Sequence, residues 1–150
     1  MSDFTAIAAD RDFGDWPDEF QQHTFGPIDA AALNNLFLPL FVVDREVDVE
    51  KISCRCTTAG SAHAITFYKA ASGTALSGGT AMGSGVADDL TANTSFEIDT
   101  LTNNTNLTVG TLIGVGGASG LASLDDLMIT IRTRSKRPRT SDGSKEVWNG

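Results

Sequence analysis

Leu107–Arg134 reads LTVGTLIGVGGASGLASLDDLMITIRTR, and its two halves carry the strand signal on which the fold turns. In the second half, Leu127, Ile129 and Ile131 alternate with Met128, Thr130 and Arg132. That period of two lines the apolar side chains along one face. In the first half, Leu112, Ile113 and Val115 lie between the Val109-Gly110 pair and Gly116-Gly117, so a β-rich run is bounded by breakers. The connection GGASGLASLDD is longer than a tight hairpin needs. It either lets the two strands pair antiparallel or carries the chain from one sheet to another.

The preceding residues supply partners of the same kind. Leu36–Val43, LFLPLFVV, is a continuous apolar run, and Pro39 within it predicts an edge strand or a kink, because proline cannot donate to a central ladder. In EVDVEKISCRC, Val47 and Val49 share one phase while Ile52, Cys54 and Cys56 share the other. A β-bulge near Glu50-Lys51 reconciles the two rows. HAITFYK alternates again, with Ile65 and Phe67 in the phase of His63, and SFEIDT places Phe96 and Ile98 inward against Glu97 and Asp99. Short extended pieces are expected around Thr80–Met82, one helical turn after Asp29, and an Asn-rich turn at TNNTN. Seven or eight strands in about a hundred residues, at this turn spacing, predict an all-β antiparallel sandwich. The pattern leaves jelly-roll and immunoglobulin-like topology both open.

Charge divides the 150-residue chain into three parts. Residues 1–30 hold seven acids and one Arg, residues 31–131 ten acids and four bases, and residues 132–150 six bases and two acids, for a net charge of −8. An acidic body is unsuited to coating nucleic acid, since phosphate binding needs clustered Lys and Arg. Only RTRSKRPR in the tail has that composition. MSDFTAIAAD has no signal-peptide pattern and no apolar run reaches membrane-spanning length, so a soluble chain made in the cytoplasm is expected.

The two ends carry the candidate contact residues. Phe4, Phe13, Trp16, Phe20 and Phe25 are spaced through an acidic, Pro- and Gly-broken segment, read as an extended arm over residues 1–30. Such aromatics either wrap the arm over its own sandwich or fill pockets on a neighbouring subunit. After the sandwich of residues 31–134, a basic tail over residues 135–150 continues the charge begun by Arg132 and Arg134 with Lys136, Arg137 and Arg139, and Trp148 follows as an anchor. These bases end in solvent, pair with an acidic surface such as a neighbour's arm, or meet nucleic acid.

Chemistry finds little purchase in this sequence. The chain has two histidines, His23 in the arm and His63 in phase with core residues, which leaves no base placed to serve a nucleophile. Cys54 and Cys56 are two apart on a strand and so share a face; they read as buried thiols, with half of a metal site as the alternative. DRDFGD departs from a calcium loop by an early Gly and by Gln21 at the twelfth position. Asp88-Asp89 and Asp125-Asp126 read as solvated turn acids before cation ligands, and GVGGASG as a loop lacking the phosphate-binding pattern. No cofactor and no metal are expected, and no enzyme activity.

The apolar opening strand, the charged turn DREVDVEK, SCRCTTAGSAHAITFYK, the Gly-rich TALSGGTAMGSG, SFEIDT, and LTVGTLIGVGGAS before LMITIRTR together resemble the small jelly-roll decoration (cement) and head-fibre proteins of tailed bacteriophage capsids. The resemblance covers about two thirds of the chain and rests on strand order and loop composition. It implies a β-sandwich that trimerises on the capsid exterior and clamps the major capsid protein through arms or loops. The resulting expectation is a non-enzymatic virion protein that decorates and reinforces a capsid by bridging its subunits. The alternative is a tail-associated or host-adhesion module whose sandwich binds carbohydrate.

Overall fold

The computed structural model describes residues 19–59, 65–83, 90–98 and 100–135. Period-two alternation becomes eight strands among them: β1 (Glu19–Ile28), β2 (Phe37–Val42), β3 (Val47–Arg55), β4 (Ile65–Ala70), β5 (Thr80–Ala81), β6 (Phe96–Glu97), β7 (Leu112–Gly117) and β8 (Leu127–Ser135). They form two four-stranded sheets, ordered β1-β8-β3-β6 and β2-β7-β4-β5, and the pairings are antiparallel. Apart from the β4–β5 neighbours, each strand is followed by one in the opposite sheet. This winding, with first and last strands adjacent, is the eight-stranded jelly roll and not the immunoglobulin arrangement.

Leu107–Arg134 is therefore not a hairpin. Its first strand, β7, lies between β2 and β4, while its second, β8, lies between β1 and β3. The connection crosses from one sheet to the other, and each strand becomes an inner member of its sheet. The core follows: Ile113 and Val115 from β7 face Leu127, Ile129 and Ile131 from β8, all fully buried. Ile52, Cys54, Ile65 and Phe67 complete the same interior. Each large apolar side chain so buried contributes about 1.5–3 kcal/mol relative to exposure.

The irregularities fall where the side-chain phases require them. Val49 pairs with Thr133 and Lys51 with Arg132, so Glu50 is the extra residue that shifts the buried row from Val47 and Val49 to Ile52 and Cys54. Pro39 sits on the edge strand β2, next to a second register shift before Phe41. Asn103 and Asn106 take positive φ in the predicted Asn-rich turn.

Two expectations are modified. The sandwich begins at Glu19, because β1 pairs with β8 along its length, so the second part of the stretch read as an arm is a sheet strand; residues 1–18 lie outside the described residues. Gly114, Gly116 and Gly117 belong to β7 and not to a loop. A Cβ on Gly114 would collide with the Leu76 side chain and stand 2.7 Å from the Leu38 carbonyl oxygen; a Cβ on Gly116 would stand 2.9 Å from the rings of Phe37 and Tyr68. These glycines keep β7 flat enough for neighbours to lie against it.

Candidate partner interface

The outer face of the β1-β8-β3-β6 sheet is built by alternation. Buried Leu127, Ile129, Ile131 and Thr133 point inward, which turns Met128, Arg132 and Arg134 to the other side. Phe20 pairs with Arg134 and Gln22 with Arg132 across the β1–β8 ladder. On this face Phe20 remains 49% exposed, with the Arg132 guanidinium 4.4 Å from its ring centroid. A cation over an exposed ring is worth about 0.5–1 kcal/mol, enough to hold the ring's orientation while leaving it available.

Arg134 has a different role from the one its place in a basic tail suggests. Its guanidinium meets Asp48 Oδ2 at 3.0 Å and Glu50 Oε2 at 3.2 Å, both on β3 of the same sheet. Asp48 is buried at 4% exposure and also accepts the Asn106 backbone N–H at 2.8 Å. Lys51 and Glu97 make a further, exposed pair at 3.4 Å.

Phe25, the other described arm aromatic, faces inward. It stacks on Phe41 of β2 with centroids 5.6 Å apart, and His23 stacks on the same ring at 4.3 Å. His23 Nε2 is 3.4 Å from Thr133 Oγ1, and burial pushes the imidazole below its ordinary value while the charge of Asp44 acts in the opposite sense. His23, Phe41 and Thr133 line an open cleft of about 450 Å³ between the edge strands β1 and β2, together with Gln21, Gln22, Val42 and Asp44. The Arg45–Glu19 ion pair at 2.9 Å links the chain after β2 to the start of β1.

Of the residues singled out in the sequence, Phe20 and Arg132 are brought together, Phe25 joins the core rim, and Arg134 is engaged by β3. Phe4, Phe13, Trp16, Lys136, Arg137, Arg139 and Trp148, as well as His63, Asp88 and Asp89, lie outside the described residues. Three features had no local signal. The cleft depends on β1 and β2 meeting as edges. Phe37, at 44% exposure, stands over Gly116 of β7, and Val42, at 58%, lies opposite Leu112, both on the outer side of the second sheet. The carboxylates of Asp29, Asp125 and Asp126 converge within 4.8 Å, all exposed.

That last cluster is held by ordinary polar contacts. Asp29 Oδ1 accepts the Asp126 N–H at 3.0 Å, and Thr57 Oγ1 donates to Asp126 Oδ2 at 3.1 Å. The Asp126 N–H and a side-chain hydrogen bond with Asp125 hold Asp29 below its ordinary value. The same bond with Asp29 and the charge of Asp126 push Asp125 up.

The cysteines are buried and free. Burial, reinforced by Cys56, pushes the Cys54 thiol up to about 12, so it is not a nucleophile in the folded chain. No helix among the described residues is long and apolar enough to cross a membrane.

No family model matches the chain, and no curated protein matches it. Among solved structures, a chain of the cyanophage Pam1 capsid asymmetric unit is similar to it, with a TM-score of 0.41 and 16% sequence identity over 81% of this chain and 88% of that one.

Proposed function

We propose that the chain is a non-enzymatic virion structural protein that decorates the exterior of a phage capsid and reinforces it by bridging capsid subunits. The observation that carries this reading is where the two extensions leave the jelly roll. Glu19, at the start of β1, pairs with Ser135, at the end of β8. The acidic, aromatic sequence of residues 1–18 and the basic sequence of residues 136–150 therefore join the body at one corner. The adjoining sheet face offers Phe20 with Arg132 beside it. A rigid body that gathers two oppositely charged extensions and an exposed aromatic at one place is suited to holding more than one neighbour at once.

In this reading the partner is the major capsid protein, and the chain acts as a homo-oligomer. Aromatic anchors supply buried contact area, charge supplies orientation, and shell symmetry multiplies contacts that are individually weak. The cleft between β1 and β2 is where a carbohydrate would fit in the alternative reading. Its ring, Phe41, is already engaged by His23 and Phe25, which favours the structural role.

The test is retention on purified capsids of the parent phage, comparing the full chain with forms lacking residues 1–18, lacking residues 136–150, or carrying Phe20→Ala. Both deletions stop short of β1 and β8, so the jelly roll is kept. Loss of one contributing end is expected to weaken retention by about tenfold or more, the effect of one dominant contact. Undiminished retention of both truncated forms would remove the extensions from the mechanism.

A further inference from the structure

Four strands form the edges of the two sheets among the described residues, and they are not equally protected. β5 and β6 are two residues long, and β2 carries Pro39 and a register shift. Short length, proline and bulges are the usual means of keeping an edge from pairing with another chain. β1 has none of these over its first part. From Glu19 to Phe25 it runs in unbroken register with β8, and Phe20–Phe25 contains no charged side chain of the Lys, Arg, Asp or Glu type. Only after Phe25 does Gly26, at φ +129°, begin the register shift that ends the regular stretch. Among the described residues no strand pairs with the other side of β1, and Gln21, Gln22 and His23 line the open cleft that separates it from the edge strand β2 of the other sheet.

We propose that the free edge of β1 pairs antiparallel with β1 of a second copy, about a two-fold axis at Gln22, joining two four-stranded sheets into one continuous sheet. The regular stretch Glu19–Phe25 is seven residues long with Gln22 at its centre, so this register pairs every residue of the stretch. Faces match, as antiparallel pairing requires: Phe20 meets Thr24 of the second copy and Gln21 meets His23. At the axis the two Gln22 side chains are uncharged, exposed and able to bond to each other as amides. The two Arg132 side chains are separated by three strand spacings, roughly 14 Å, beyond the screening length at physiological salt. The partner is thus another copy of this chain, and the inference stands independently of the capsid reading.

Gln22→Glu is the discriminating variant. Within one chain the new carboxylate lies across the ladder from Arg132 and is accommodated; across the axis it lies directly opposite its own copy and is repelled. Sedimentation of the full-length protein without capsid is expected to show a concentration-dependent doubling of mass relative to the Gln22→Glu variant. That variant should weaken the doubling by about tenfold or more while keeping the thermal midpoint of the folded unit. Mixing Gln22→Glu with Gln22→Lys chains should restore it. Gln22→Cys should give an interchain disulfide, since opposed Cα atoms in such a pair lie about 4.5–5.5 Å apart. Wild-type protein that shows no doubling, doubling indifferent to Gln22→Glu, or no cross-link from Gln22→Cys overturns the proposal. Capsid retention is scored separately, so loss of one property does not imply loss of the other.

Discussion

Asp48 and Arg134 form the most buried ion pair among those described, with Asp48 Oδ2 3.0 Å from the guanidinium and the Asp48 side chain 5% exposed. A sequence rich in bases after Ile131 makes Arg134 look like the beginning of an outgoing basic tail. Its register opposite Asp48 turns it into the counter-charge for a buried carboxylate. Removing it would take the counter-charge from that buried carboxylate, which also accepts the Asn106 backbone N–H. Arg134→Ala is expected to lower stability by about 2 kcal/mol, discounted for the partial exposure of the Arg side chain. Denaturant unfolding measures it. Arg132→Ala, on the exposed ring of Phe20, should cost less than about 1 kcal/mol.

Gly114 provides a test of the packing over β7. Alanine there must displace Leu76 and press on the Leu38 carbonyl and Pro39, so Gly114→Ala is expected to destabilise by about 1–3 kcal/mol. Gly78→Ala meets only the Thr74 methyl at 3.6 Å and should stay within about 0.5 kcal/mol of wild type. Thermal midpoints of the two variants should separate accordingly.

The thiols should be silent in the folded protein. Cys54, pushed up to about 12, and Cys56, raised by burial, present neither thiolate nor access. A thiol reagent at about pH 8 should modify both only as denaturant crosses the unfolding transition. Rapid labelling of native protein would contradict their burial in the core.

His23 gives stability a pH dependence of defined sign. Its folded value is lowered from 6.5, by burial first and against the raising effect of Asp44. The unfolded chain therefore takes up the proton more readily than the folded one. The contribution of neutral His23 is complete above pH 6.5 and is lost as pH falls from there toward the folded value. Unfolding midpoints followed downward through that window should fall; His23→Gln should flatten this part of the profile, and Asp44→Asn should steepen it.

Much of the body can be read along the chain. Val47 and Val49 against Ile52 and Cys54 locate the bulge at Glu50, Pro39 places β2 at an edge, and Leu127, Ile129 and Ile131 define the buried row of β8. Each is a local signal, since alternation, bulges and proline are properties of consecutive residues. Gly114–Gly117 reads as a loop for the complementary reason: glycine carries no side chain whose phase could announce a strand, and only Leu76, Phe37 and Tyr68, distant in sequence, give it one.

By itself, then, the sequence determined an all-β sandwich, the inward rows of its strands, and the segregation of acid to one end and base to the other. The tertiary structure alone decided that β7 and β8 belong to different sheets, that β1 begins at Glu19 beside Ser135, and that Arg134 answers Asp48 while Arg132 lies on Phe20. It also decided the meeting of Asp29 with Asp125 and Asp126 across 97 residues of chain. The division is physical: side-chain phase is fixed by backbone geometry over two residues, whereas the choice of sheet partner is fixed by which apolar rows close against each other once the whole chain has folded.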